Sequence, residues 1–530
     1  MATALEALTT HQLADKAPFE LSRRDYVRQL RRMTTWLIAL GLCARLFRYL
    51  LSGSIWNDEA AVALNIIRRD FEGLTHALDE MQVAPIFFLW AERAVLLVLG
   101  SSEHAMRFVP CLFGLGGLIV FWDFARRVVP PPAAAFAIGI MAVARWPVMM
   151  SSTIKPYTAD MFCSTLLMAL AVRWRQQPDR LWPLVALAAV VPFTLGMSYP
   201  TVFVAGSVSV YLLPAVWRCP DRRVTALFAG YNVMMLAAFA VVFSLVLRQG
   251  ADPQAAALKE FMRTYWKHGF PPGGVPDFIW WSVKIHTGRL MSYPWGDGNG
   301  GSTLTCLLFL TGVWSCVRSD NRYILLLCLT PFALNFVAAA LGQYPYGACT
   351  RLSMHLAPSI CLLIGCGISR ILETVSSLER RLRWTRGVFV VLGLFGIAEM
   401  VADAVKPHRE FYGRWMQRMT LDLERQLEPG DEIAFRCPIP KQRETLDWYM
   451  ARFGERVSWH GPTVTHPDTL RVWLIVITVQ EPAEQIETKF RSTLGQEWVS
   501  VSRTEHQIQA NEAERWTIKC VVHCLARRSQ

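Results

Sequence analysis

The chain has 530 residues, of which 53% are hydrophobic and only 18% charged, and it carries 20 Trp and 28 Phe. That is too much apolar surface for a water-soluble fold of this length. The net charge of +12 does not signal nucleic acid, because 45 Arg against 9 Lys gather in short stretches between long apolar runs, where cytoplasmic loops of membrane proteins collect them.

Residues 1–32 are polar, and Arg23, Arg24, Arg28, Arg31 and Arg32 stand just before the first apolar run. No cleavable signal peptide is visible; a charged start followed by a long run reads as a retained anchor with a cytoplasmic N-terminus. A bilayer requires about 20 apolar residues per helix. The eleven predicted spans are 33–51, 106–125, 132–150, 157–173, 181–197, 200–217, 224–247, 302–317, 323–341, 352–372 and 386–404. Counted from a cytoplasmic N-terminus, the inner loops hold Arg126 and Arg127; Arg173, Arg175 and Arg180; Arg218, Arg222 and Arg223; Arg318 and Arg322; and Arg380, Arg381, Arg383 and Arg386. The outer loops are mostly poorer in Arg. This alternation requires that 85–100, short and with Glu92 and Arg93 in its middle, lie on the outer surface as a juxtamembrane helix.

The expected fold class is therefore a polytopic α-helical membrane protein in three parts. These are a cytoplasmic segment 1–32, a membrane domain 33–405 and an extracytoplasmic α/β domain 406–530. In the last part, an amphipathic helix at 408–427 precedes the turn Pro429-Gly430-Asp431 and a strand at 432–436. A helix at 444–453, an apolar strand at 471–479 and a late strand at 516–524 complete it. The 13 Cys show no metal-type spacing. Most of them, Cys111, Cys163, Cys306, Cys361 and Cys366 included, read as small packing residues.

Loop 52–105, the turn 151–156, loop 248–301, the turn 342–351 and the C-terminal domain are then all placed on one outer face. Trp56-Asn57-Asp58-Glu59-Ala60 puts two adjacent carboxylates at the mouth of a membrane helix, which is costly unless they are solvated or used. A carboxylate there can deprotonate a nucleophile or hold a divalent cation. In Ile154-Lys155-Pro156-Tyr157-Thr158-Ala159-Asp160, Lys155 offers a point charge to a phosphate, and Asp160 begins the next helix. The alternative for this pair is that Lys155 snorkels to the interface and Asp160 neutralises it. In Tyr344-Pro345-Tyr346-Gly347-Ala348-Cys349-Thr350-Arg351, Arg351 stands at the outer end of a span, with His355 expected one helical turn deeper on the same face. Interfacial anchoring by Tyr and Arg is the plainer alternative. Loop 248–301 carries Trp266, Trp280, Trp281 and Trp295 and the Gly-rich stretch 296–301, which suit either an aromatic belt or a lid.

Together these segments resemble the glycosyltransferase C superfamily, in the branch of protein O-mannosyltransferases and lipid A aminoarabinose transferases. The resemblance rests on the outward Asp58-Glu59, on Ala84-Pro85 before an aromatic-rich helix, on Ser102-Glu103-His104-Ala105-Met106-Arg107, on Lys155-Pro156-Tyr157 and on Tyr344-Pro345-Tyr346-Gly347 with Arg351. It covers roughly 33–405. It departs from the branch at Val83-Ala84-Pro85, where relatives carry His-Pro-Pro, and at Lys155, where Arg is commoner.

The resemblance implies a polyprenyl-phosphate sugar as donor, transfer outside the cytoplasmic membrane with inversion, and membrane lipids but no nucleic acid as partners. It makes Asp58 the catalytic carboxylate, with Glu59 in support. Lys155, Arg351 and Tyr346 would take the donor phosphate, with Tyr157, Asp160, His355 and Arg107 supporting. Asp58 and Asp160 are the pair that would share a divalent metal cation. The competing expectation is a non-catalytic carrier or transporter of polyprenyl-linked sugars. It needs the phosphate-binding cations but not Asp58, and it should show internal repeats that the chain lacks.

Overall fold

The structure is a computed structural model. It describes residues 22–51, 53–249, 260–261, 263–296, 300–319, 322–405, 411–436, 440–451, 453, 457–458, 469–478, 483–494, 498–509 and 517–527. Helix dominates. Each apolar run of the sequence lies in a helix, from Arg23–Leu51 through Phe108–Val128, Pro131–Val143, Tyr157–Gln176, Trp182–Met197, Thr201–Trp217, Arg222–Gln249, Gly301–Val317, Ile324–Ala340 and Ala357–Glu373 to Leu378–Val405. Among the described residues, Arg23–Leu51, Phe108–Val128, Arg222–Val246, Thr350–Glu373 and Leu378–Val405 are long and apolar enough to cross a membrane. The apolar window in Thr350–Glu373 is 89% buried, against 6% in Arg222–Val246. The first is thus a central helix, and the second leaves most of its side chains exposed on the outside of the bundle.

Two predicted spans are not single regular helices. Residues 132–150 do not form one helix: Pro131–Val143 stops, Ala144 is extended (φ −59, ψ 126), and Arg145–Met150 begins a new segment. Pro147 explains the break, since its ring would clash with the Val143 carbonyl and it has no N–H to donate. Fully buried Arg45 fills the gap by donating to the carbonyls of Met141 (3.2 Å) and Ala142 (2.8 Å). At 352–372 the α-helix begins only at Ala357. Residues Thr350–Leu356 form a 3-10 segment kinked at Ser353 (φ −106, ψ 18), so Arg351 and His355 do not share a helical face.

Without a hydrophobic force between helices in lipid, small residues set the closest approaches. A Cβ on Gly312 would stand 1.8 Å from the Leu363 carbonyl oxygen, and one on Gly367 2.0 Å from that of Leu308. Gly312→Val is therefore expected to cost more than the about 1–3 kcal/mol of ordinary overpacking and to remove the monodisperse peak in detergent size exclusion. Gly387→Ala, with nothing within 4 Å, should leave that peak unchanged.

The Phe108–Val128 and Tyr157–Gln176 helices pack together and define two poles. At one end Arg126, Arg127 and Arg173 converge on Asp123, Arg173 at 2.6 Å. At the other end lie Arg107 and Lys155. A 20-residue helix separates the poles by about 30 Å.

The C-terminal part holds a mixed five-stranded sheet. Its strands are β1 Glu432–Arg436, β2 Val457–Ser458, β3 Arg471–Thr478, β4 Trp498–Gln509 and β5 Thr517–Arg527, in the order β2-β1-β3-β5-β4. β1 is parallel to β2 and β3, while β5 is antiparallel to β3 and β4. The run Val472–Thr478 is buried throughout, as its unbroken apolar pattern requires of a central strand. Helices Phe411–Gln426 and Pro440–Ala451 join this part to the segment that follows the first helix. Ile55, Phe88 and Met106 share one apolar core with Met416, Tyr449 and Trp473. The Ile55 N–H donates to the Tyr449 hydroxyl at 3.1 Å. Cys520 and Cys524 are buried, Cys520 with its thiol 3.5 Å from the Met419 sulfur; Cys437 lies outside the described residues.

Candidate functional site

Asn57–Arg68 is a helix capped by Trp56, with Asp58 and Glu59 in its first turn, where the backbone dipole favours acids. Successive helical residues point about 100° apart, so the two carboxylates part company. Glu59 turns inward to Arg107. Arg107 Nη2 donates to Oε2 at 3.0 Å and Nε to Oε1 at 3.3 Å, and the Ile154 N–H reaches Oε1 at 2.9 Å. Arg107 also donates to the carbonyls of Gly53 and Ser54. The two side chains are only 5% and 3% exposed. This pair ties the chain leaving the first helix to the turn that carries Lys155. Glu59, expected in support of Asp58, thus has Arg107 and the Ile154 N–H as its partners.

Asp58 faces the other way, to Lys155 Nζ at 2.7 Å and Arg351 Nη1 at 3.5 Å. Lys155 is buried, and its ammonium donates equally to Gln82 Oε1 at 2.7 Å. Burial pulls the Lys155 ammonium below the ordinary lysine value of 10.5, and the neighbouring Asp58 carboxylate opposes that shift. The Arg351 guanidinium sits 5.5 Å from the Trp266 ring and 5.9 Å from the rings of Trp56 and Tyr157, within cation–π range of all three. With Asp58, Lys155 and Arg351 ionised, the cluster keeps a surplus of positive charge. An anion that engages the two cations would release Asp58 to accept a proton. A cleft of about 50 Å³ opens beside Arg351, with Trp56, Glu59 and Arg107 on its near wall.

The other expected residues lie apart from this cluster. The Tyr346 hydroxyl is 3.0 Å from His286 Nε2, its N–H donates to the Gly269 carbonyl, and its ring meets Trp281 and Phe336. These contacts pack Tyr346 against the 269–286 stretch. His355 is buried against Phe203 and Tyr344, because the 3-10 segment rotates it off the Arg351 side. Asp160 is buried beside Ser198, with Oδ1 unpartnered.

Asp58 is engaged by two cations and Asp160 is turned toward Ser198, so the pair does not fit a shared metal ion. Among the described residues no group of three or more His, Cys, Asp or Glu side chains could hold one. Of the Gly-rich stretch, residues 297–299 lie outside the described residues.

Sequence reasoning missed Gln82, which meets Lys155, and Arg48 and Asp403, which line the cleft beside Arg351. Gln82 follows Glu80 and Met81, both left-handed (φ 56 and 52), and a neutral side chain in a loop gives no warning of its role. Arg48 and Asp403 did carry a signal, since ionisable groups in apolar helices are functional candidates by default.

No protein-family model matches the chain, and no curated protein matches it in sequence. Solved structures do. The crystal structure of ArnT from Cupriavidus metallidurans bound to undecaprenyl phosphate matches with a TM-score of 0.54 at 15% identity, over 92% of this chain and 98% of that one. The apo state of ArnT matches with a TM-score of 0.52 at 14% identity, over the same shares. The two proteins share one fold. At this identity the likeness speaks for the fold alone.

Proposed function

We propose that the chain is a membrane glycosyltransferase that moves a sugar from a polyprenyl-phosphate donor to an acceptor on the extracytoplasmic face. The observation that carries this reading is Asp58 held between Lys155 and Arg351, 2.7 and 3.5 Å away, at the pole opposite the arginine cluster on Asp123. On the positive-inside rule, that opposition supports a cytoplasmic arginine pole and an outward site. Eleven crossings, with 1–32 inside, 33–405 as the membrane domain and 406–530 outside, agree with it. The shared fold with ArnT, crystallised with undecaprenyl phosphate, favours the same ligand class.

In this mechanism Lys155 and Arg351 bind the donor phosphate and give up Asp58. Asp58 takes the proton of an acceptor hydroxyl, whose oxygen attacks the anomeric carbon from the face opposite the phosphate. The carbon–oxygen bond to phosphate breaks, its electron pair leaves with polyprenyl phosphate, and the two cations stabilise the charge formed there. One displacement inverts the anomeric centre.

The test is transfer from a mixed pool of labelled polyprenyl-phosphate sugars by the purified chain in proteoliposomes. Label in a new product supports the reading, whereas none from any donor removes it.

A pH profile tests Lys155. Its charged form grips phosphate, and its lowered pKa makes that form disappear as pH rises through a value below 10.5. Lys155→Arg keeps its charge throughout and is expected to move the alkaline limb of transfer upward. An unmoved limb would assign that limb to another group.

A further inference from the structure

The pole opposite Asp58 holds arginines that the proposed reaction does not use. Arg126, Arg127 and Arg173 are neutralised there by Asp123. Among the described residues Arg175, Arg218 and Arg322 are in no ion pair. Asp221, close to Arg218 in sequence, accepts from the Arg223 N–H at 2.8 Å.

The three come from three separate inner loops, and the fold gathers them around two tyrosines. Arg175, in the last turn of helix Tyr157–Gln176, donates Nη1 to the Tyr211 carbonyl at 2.8 Å. Its guanidinium lies 4.6 Å from the Tyr211 ring and 4.5 Å from the Tyr323 ring, within cation–π range of both. Arg322 lies 5.8 Å from the same Tyr323 ring. The Tyr323 hydroxyl stands beside the guanidiniums of Arg218, at the end of helix Thr201–Trp217, and of Arg322. Arg175 is half-buried, while Arg218 and Arg322 are exposed, so N–H donors of this cluster face the surface.

Positive charge on this side is expected of any bundle of membrane helices. That rule sets a count for each loop; it does not bring three guanidiniums from three loops onto one tyrosine. Like charges gathered this way repel unless an anion lies among them. Guanidiniums suit a phosphate, which they bind with paired N–H donors, and basic pockets between membrane helices on the cytoplasmic side bind anionic lipid head groups.

A second feature adjoins the cluster. Val210, Leu213 and Trp217 are exposed and share one face of helix Thr201–Trp217 by their spacing. This apolar stripe runs from Arg218 toward the middle of the membrane, with the indole at head-group level.

We propose that Arg175, Arg218 and Arg322, set around Tyr211 and Tyr323, bind the phosphate of an anionic phospholipid in the leaflet opposite the Asp58 pole, with an acyl chain along Val210, Leu213 and Trp217. That leaflet is the cytoplasmic one in the topology proposed above. The site is separate from the transfer chemistry and stands whether or not the chain moves sugar.

The experiment measures lipid binding to the purified full chain in detergent by native mass spectrometry, with dioctanoyl phosphatidylglycerol, dioctanoyl phosphatidylcholine and inorganic phosphate as probes. Phosphatidylglycerol is expected to bind more tightly than phosphatidylcholine. A basic residue at a membrane surface is worth about 1 kcal/mol, so each Arg→Gln change should weaken phosphatidylglycerol about fivefold, and all three together on the order of a hundredfold. The control Arg380→Gln/Arg383→Gln/Arg386→Gln removes the same charge from exposed positions of another inner loop and should stay within about twofold of wild type. Equal binding of the two lipids overturns the proposal, and so does an equal loss in the control, the mark of diffuse charge alone. Inorganic phosphate that displaces half of an equal concentration of lipid would make this a free-phosphate site and overturn the lipid assignment.

A measurement on wild type alone does not depend on any variant folding. With a phosphatidylglycerol carrying a diazirine in its acyl chain, in proteoliposomes, crosslinks are expected in the 210–217 peptide. Crosslinks confined to other helices overturn the placement.

Discussion

Asp58→Asn is expected to lower sugar transfer by about 10²–10⁴-fold, the usual worth of a positioned general base, while the protein still folds. The substitution keeps the size of the side chain and its ability to accept from Lys155 at 2.7 Å. It removes the basic oxygen that takes the acceptor proton. Donor binding should persist, because Lys155 and Arg351 remain and lose their competing carboxylate. The decisive pattern is a fall in kcat at nearly constant donor KM, measured beside an unchanged size-exclusion profile. Equal turnover by the variant would take Asp58 out of the chemistry. Intact flipping of lipid-linked sugar with no transfer by either protein would favour the carrier alternative.

The second large effect is structural. Arg107→Met leaves Glu59, 3% exposed, as a buried carboxylate without its cation, and breaking one side of such a pair typically costs about 3–5 kcal/mol. The Gly53 and Ser54 carbonyls lose a donor as well. The expected result is early thermal unfolding in detergent, followed by tryptophan fluorescence, and low yield. The double variant Arg107→Met/Glu59→Gln should recover part of the loss, because the uncompensated charge is gone. As a control, Arg126→Met removes a 47% exposed side chain from Asp123, which keeps Arg127 and Arg173. It should change stability by no more than about 1 kcal/mol. If Arg107→Met matched that control, the Arg107–Glu59 pair would not be what holds the site together.

Much of the architecture was legible because membrane helices announce themselves. A run long enough to span hydrocarbon must be helical, since only a helix satisfies its own backbone groups there. The apolar runs accordingly gave helices, and the Asp58, Lys155 and Arg351 segments could be assigned to one pole before any contact was known. Local chemistry foretold less where it competes with that rule. Pro147 broke a run that hydropathy reads as continuous, and the 3-10 turn before Ala357 rotated His355 away from Arg351.

The sequence by itself determined an α-helical bundle with apolar outer faces, a charged pole at each end, and the short motifs that carry the functional residues. All three follow from composition along single segments, where neighbours in sequence are neighbours in space. Only the tertiary structure decided which of two adjacent acids meets which cation. Asp58 reaches Lys155 across 97 positions and Arg351 across 293, while Glu59 takes Arg107 across 48. It also placed Gln82 beside Lys155. Those pairings depend on the direction a side chain leaves its helix and on how closely glycines such as Gly312 let helices approach, and no local window contains either quantity.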